Sequence, residues 1–282
     1  MQELATLGSI FVGIDGSKAA ISAALWAADE AVSRDVPLCL VNAVEQGGTR
    51  DAGRMAHDHT AAENALRQAV TAVEATGQPV KIETEIASGS PVSALIRASA
   101  SAAMVCVGAV GLRHFQPGRV GSTATALAFL GRSPVAIVRG RDGHRRQPDE
   151  IVVDVDRSPE NGVLLGAAMG EALLRNAPVR AVICRQAVAG DDRAERDRDR
   201  RSGADLDRRL ARWRRGYPHV EVESVVVYGS LLDYLARNHR SARLVIVGAS
   251  NRPHLRELFG PIGTAMLQDA NSSLLIVNRQ NL

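Results

Sequence analysis

The chain has 282 residues, of which 45% are hydrophobic and only 3% aromatic, and its formal net charge is +3. That length suits one large domain or two ordinary ones, with a core of Ala, Val, Leu and Ile rather than rings. No apolar run approaches the ~18 residues of a membrane helix, the N-terminal MQELATLGSIF has no basic region and is not expected to be a signal peptide, and the basic excess is too mild to argue for nucleic acid.

Cys39, Cys106 and Cys184 each stand inside an apolar run. This predicts buried free thiols in a reducing cytoplasm rather than a disulfide framework. A cytoplasmic location, without membrane or nucleic-acid partners, is the expectation.

In chain order, Ser9–Ile14 is a short apolar run and predicts a buried strand. Ser17 is placed to cap a helix through about Arg34, with Ile21, Ala24, Leu25 and Ala28 on one face. Pro37 stops that helix, and Leu38–Val44 is a second buried strand. A helix of roughly 53–76 follows, ended by Gly77 and Pro79. His57 and His59 within it are two residues apart and do not share a face, so they read as surface histidines rather than a metal pair. Val80–Ile86 alternates and suits a strand nearer an edge. Pro91 opens a helix through about Ser99. Met104–Val107 and Val135–Val138 complete five strands, with a helix from Ser122 between them. Such strand–helix alternation predicts a parallel sheet covered on both faces.

The order then repeats. Residues 10–41 lie against 151–182 without a gap, so that Asp15/Asp156, Ser17/Ser158, Glu30/Glu171, Arg34/Arg175 and Pro37/Pro178 coincide, and 89–108 lie against 229–248. A period of ~140 residues is a domain size, not a solenoid repeat. Two copies of one domain are predicted, at 1–140 and 151–282, joined by the polar linker GRDGHRRQPDE (140–150). In the second copy, Ser158-Pro159 predicts a helix start. Its segment 191–215 holds ten Arg and seven acids, with Leu206, Leu210 and Trp213 as a narrow apolar stripe. That composition reads as a salt-bridged, solvated helix; a docking surface for an acidic partner is the alternative. Asp154 and Asp156 lie on one side of a strand and could hold Mg²⁺, but the sequence offers no third ligand.

In open parallel sheets, ligands sit beyond the carboxyl ends of the strands where strand order reverses. Asp15 ends the first strand and Gly108 the fourth, so the long connection from Gly108 to Gly121 hangs over the expected site. Gly108 and Gly111 would let backbone approach a ligand. Gly121-Ser122-Thr123 opens a helix whose free N–H groups form an anion site. The hydroxyls of Ser122 and Thr123 can donate to phosphate oxygens, and Arg113 or Arg119 can add charge. His114 lies in the same loop. Asp15 would repel phosphate, so it is expected to accept from a ribose hydroxyl or adenine amine. Neither a Walker P-loop nor a G-x-G-x-x-G follows the first strand.

Gly108, Gly111, Gly121 and Ser122 together spell G-x2-G-x9-G-S. This resembles the ATP-binding signature of the universal stress protein family. The opening FVGIDGS (11–17) resembles that family's first strand with its nucleotide-contacting Asp. RSPVAIVR (132–139) resembles its terminal strand, which pairs with a second copy in family dimers. The resemblance covers nearly the whole chain, twice, and is to the tandem form of actinobacterial and mycobacterial members. It implies an α/β fold with strand order 3-2-1-4-5 in each sheet. It also implies ATP, with or without Mg²⁺, held by Gly13, Asp15 and Ala43 near adenine and ribose and by Gly108, Gly111, Arg119, Gly121, Ser122 and Thr123 around the phosphates.

The second copy departs from this signature. It keeps Gly248, but Asn251 stands at the place of Gly111 and Gly260-Pro261 at that of Gly121-Ser122. Pro261 offers neither hydroxyl nor N–H, and Gly13 has become Asp154. Degeneration into a structural partner domain is the favoured reading, although a register using Gly263-Thr264 would restore a helix start. With no recognisable catalytic base, the expectation is a nucleotide-binding stress or signalling protein in which ATP changes a docking surface. A slow ATPase or adenylyl transferase, and an interaction protein with empty sites, are the alternatives. The fifth strands are apolar edges that seek pairing, within the chain or in a homodimer.

Overall fold

A computed structural model describes residues 8–45, 52–111, 120–140, 150–156, 161–185, 192–238 and 241–278. The chain divides into two compact units with the boundary between Asp142 and Gly143. The first contains β1 (Ile10–Gly13), α1 (Lys18–Arg34), β2 (Leu38–Val44), α2 (Ala52–Glu74), β3 (Ile82–Ser88), α3 (Pro91–Ala98), β4 (Met104–Gly108), α4 (Ser122–Leu130) and β5 (Val135–Val138). Its strands run in the order β3-β2-β1-β4-β5 and every described pairing is parallel. β1 therefore lies between β2 and β4, with Val12 opposite Leu40 on one side and Cys106 on the other.

The helices follow from their caps and faces. Ser17 is extended, and its hydroxyl accepts from the Ala20 N–H, closing the start of α1. The face that α1 buries is made of Ala20, Ala23, Ala24, Ala27, Ala28 and Ala31. Ile21 and Leu25, expected in the core, are only half-buried on its flanks. Small side chains win the central positions because α1 lies close upon β4. β3 begins two residues later than its alternation suggested, since the Val80 N–H turns back to the Gln78 carbonyl before the strand can pair. His57 and His59 are exposed, and His59 pairs with Glu63 along α2.

The second unit contains β6 (Glu150–Asp154), α5 (Asn161–Arg175), β7 (Val179–Arg185), α6 (Asp192–Gly216), β8 (Val222–Tyr228), α7 (Leu231–Asn238), β9 (Ala242–Gly248), α8 (Arg252–Phe259), α9 (Pro261–Asp269) and β10 (Ser273–Val277). Its order, β8-β7-β6-β9-β10, is again parallel and is the same 3-2-1-4-5 arrangement. In α6, Leu206 and Leu210 are fully buried. Trp213 lies against α5, where a Cβ on Gly166 would come 3.2 Å from its ring. Asp205 binds Arg208 and Arg209, and Asp207 binds Arg214, as the salt-bridged reading of this helix expects. The Ser158-Pro159 start lies outside the described residues. α8 has no counterpart in the expected layout. Among the described residues, no helix is long and apolar enough to cross a membrane.

The duplication extends to buried ions and backbone geometry. Asp35 and Asn176 each end the first helix of their unit in the left-handed region, at φ 52° and 49°, the conformation that terminates a helix and that Asp and Asn tolerate. One turn earlier, Arg34 donates to Glu30 at 2.9 Å and Arg175 reaches Glu171 at 2.5 Å, with both carboxylates buried. Arg34→Ala is expected to destabilise the protein by about 2 kcal/mol, because it strips a charged hydrogen bond from a buried acid. Chemical denaturation checks this, with Arg34→Lys recovering part of the loss.

Candidate functional site

The first unit brings together Asp15, Gly111 and Gly121 at the carboxyl ends of β1 and β4. Asn42, on β2, donates from Nδ2 to the Ile14 carbonyl at 2.7 Å, and the Ile14 N–H donates to the Val41 carbonyl. These bonds fix the backbone leading into Asp15. Gly16 turns the chain at φ +86°, and Asp15 Oδ1 accepts the Ser17 N–H at 2.9 Å. The carboxylate is thereby held at the start of α1 by Oδ1, with Oδ2 facing Gly111. A Cβ on Gly111 would lie 2.6 Å from Asp15 Oδ2. A Cβ on Gly121 would lie 3.8 Å from the Gly111 nitrogen. The loop is pinched at its base, where the Gly121 N–H donates to the Ala109 carbonyl at 2.9 Å.

α4 starts at this point. Its N-cap, Gly121, has no side chain to cap with, and the Thr125 N–H is the one that returns to the Gly121 carbonyl. The N–H groups of Ser122 and Thr123 meet no acceptor among the described residues. Ser122 is exposed and Thr123 half-buried. Two N–H groups at the positive end of a helix with no acceptor among the described residues, beside two hydroxyls, can bind an anion. Asp15, about one glycine away, supplies an acceptor for a hydroxyl or amine. An anionic group and a polar hydrogen-bonding group on one ligand could thus be served together.

Not every motif glycine faces this crevice. A Cβ on Gly108 would lie 2.7 Å from the Ala19 carbonyl carbon, so Gly108 is small because α1 rests on it. A Cβ on Gly13 would lie 2.8 Å from Leu95 of α3 and 3.1 Å from Val107; its lack of a side chain serves packing. Ala43 sits half-buried near the end of β2, opposite Ala87. Arg119, like Arg113 and His114, lies outside the described residues. Asn42 was missed from the sequence, though a lone amide inside the apolar run LCLVNAV was its signal.

The second unit fills the equivalent space with its own side chains. Asp154, at the place of Gly13, is buried. Asn251, at the place of Gly111, donates from Nδ2 to Asp154 Oδ2 at 2.9 Å. His254 Nδ1 lies 2.5 Å from the same oxygen. Asn251 also caps α8 by accepting the His254 N–H, which orients the imidazole toward the strand end. The hydrogen bond to Asp154 holds the His254 pKa above its ordinary value, outweighing the opposing effect of burial. Cys184 is close by, its thiol pushed up to about 12 by burial and then by Asp154, Glu257 and Asp233.

The register using Gly263-Thr264 is not adopted. α9 begins at Pro261 with Gly260 as N-cap. Gly263 lies inside that helix, where a Cβ would come 2.3 Å from the Glu257 carbonyl oxygen. Thr264 is buried and donates its hydroxyl to the Gly260 carbonyl. The paired use of Asp154 with Asp156 is also replaced: Asp154 joins Cys184 and His254 instead.

The sequence pattern of the Universal stress protein family matches residues 7–139 and again 148–278. The chain belongs to the universal stress protein family. This tandem universal stress protein is 54% identical over 280 residues to Universal stress protein Rv2028c of Mycobacterium tuberculosis, covering 97% of each chain. It is 42% identical over 269 residues to Universal stress protein Rv3134c of the same organism, covering 94% of this chain and 97% of the other. Among solved structures, it shares its fold with a universal stress protein from Archaeoglobus fulgidus, at a TM-score of 0.69, 17% identity and 97% coverage of both chains.

Proposed function

We propose that the first domain binds ATP between Asp15 and the start of α4, and that the nucleotide acts as a signal rather than as a substrate to be consumed. The observation that carries this reading is the approach of Gly111 to Asp15 and of Gly121 to Gly111, beside the Ser122 and Thr123 N–H groups, which meet no acceptor among the described residues. In this reading Asp15 and Ala43 receive the nucleoside. The phosphates, with or without Mg²⁺, lie against Gly111, Gly121, Ser122 and Thr123. Contacts to the phosphates would change the surface presented to a partner protein.

Isothermal titration of ATP into the full-length protein tests this. Wild type is expected to bind. Gly121→Asp is the informative variant, because among the described residues a Cβ at Gly121 meets nothing closer than 3.8 Å and Asp is a favoured N-cap. It should keep or raise the melting temperature while weakening ATP by ~100-fold, since its carboxylate would occupy the anion position and repel phosphate. Absence of binding by wild type, or undiminished binding by Gly121→Asp, would overturn the assignment. Phosphate release above that of the Gly121→Asp protein would assign turnover in place of signalling.

A further inference from the structure

We propose that the second domain binds a transition-metal ion of Zn²⁺ type through Asp154, Cys184 and His254. One ligand atom from each of these residues lies within 4.8 Å of the other two. The fold itself brings them together. Asp154 is opposite Val182 in the β6–β7 register, so Cys184, two residues further along β7, projects from the same face as Val182. The third ligand comes down from α8.

A second observation is independent of the clustering. Among the described residues, Asp154 Oδ1 is buried without a hydrogen-bond partner, while Oδ2 takes both Asn251 and His254. A buried, half-satisfied carboxylate is costly, and an ion at Oδ1 would remove that cost. The surrounding charge also favours a cation: Asp154, Glu257 and Asp156 act on His254, and Asp154, Glu257 and Asp233 on Cys184. The same field opposes a triphosphate. Thiolate, imidazole and one carboxylate form a donor set suited to Zn²⁺, Co²⁺ or Cu²⁺ and not to Mg²⁺ or Ca²⁺, which take oxygen ligands. Three protein ligands leave one tetrahedral position for water, and His254, 21% exposed, opens the site to solvent. On binding, the Cys184 thiol proton and the proton shared by His254 and Asp154 leave to solvent, and the ion takes their place.

The test is Co²⁺ titration of chelator-treated full-length protein, followed by competition with Zn²⁺. Wild type should take up a single equivalent and develop a thiolate-to-cobalt charge-transfer band that Zn²⁺ abolishes. Cys184→Ser should lose the band. His254→Gln and Asp154→Asn should weaken the metal by ~100-fold, at or beyond the upper end of losses seen even for residues that only support ligands. Cys39→Ser and Cys106→Ser should behave as wild type. Circular dichroism establishes that each variant is folded, and His254→Gln, at a partly exposed position, serves if Asp154→Asn does not fold. A wild-type protein without the band, or a band that survives Cys184→Ser, overturns the proposal. ATP binding by the first domain is scored separately, so failure of one result leaves the other readable.

Discussion

Gly111→Val is expected to leave the protein folded and to weaken ATP by about 100-fold, the worth of one or two hydrogen bonds to a charged group. The Cβ it introduces would come 2.6 Å from Asp15 Oδ2 and no nearer than 3.8 Å to any other atom of that residue. Oδ2 is the tip of a short side chain, and it can swing aside at small cost to the fold. Swinging, however, turns Oδ1 away from the Ser17 N–H that aims it. The position that Asp15 holds for the nucleoside is then lost, while α1 and the sheet stay in place. Calorimetric titration paired with a thermal melt separates the two effects. A melting temperature near wild type with affinity unchanged would show that Asp15 has no part in binding ATP.

Gly108→Ala should do the opposite and damage the fold directly. Its Cβ would lie 2.7 Å from the Ala19 carbonyl carbon, 2.8 Å from Ala19 Cβ and 2.9 Å from the Ala19 oxygen. These are backbone or near-backbone atoms in the first turn of α1, so the helix must lift from β4. Overpacking of this kind costs about 3 kcal/mol, or roughly 10 °C in the first domain's melting transition. The second domain supplies an internal control. Gly248 occupies the same place in the repeat, yet a Cβ there would meet only side-chain atoms of Leu164 and Ser250 at 3.5 Å, ordinary contact distance. Gly248→Ala should therefore shift stability by less than ~1 kcal/mol. Equal losses from the two substitutions would refute the packing role given to Gly108.

This contrast shows where reading the chain reaches its limit. Glycine at a motif position looks the same whether it lines the crevice beside Asp15, as Gly111 and Gly121 do, or makes room for a packed helix, as at Gly13 and Gly108. Spacing along the chain carries the motif, but the neighbour that forbids a Cβ is supplied by another element. The same holds for α1, whose alanine face could have been weighed more heavily than Ile21 and Leu25 had the closeness of β4 been known. The unexpected helix α8 did leave a trace. Asn251 as cap, Pro253 in the first turn, and Leu255 and Leu258 at helical spacing are all visible, but the expectation of a glycine loop by analogy with the first copy hid them.

While the strand order came from the family resemblance, legible from the amino acids alone were the duplication, the parallel α/β class, the ends of the first helix, and the loss of Ser122's counterpart at Pro261. Each rests on local chemistry or on comparison of one half of the chain with the other: buried strands are continuous apolar runs, caps need particular side chains, and proline has no N–H to give. The meeting of Asp154 with Cys184 and His254 belongs to a different order of information. Asp154 and His254 are 100 residues apart in the chain. They touch because parallel pairing sets β6 beside β7, and because the cap at Asn251 turns α8 back over the strand ends. No local pattern encodes that encounter, since it is fixed by the packing of elements whose own sequences would be satisfied without it.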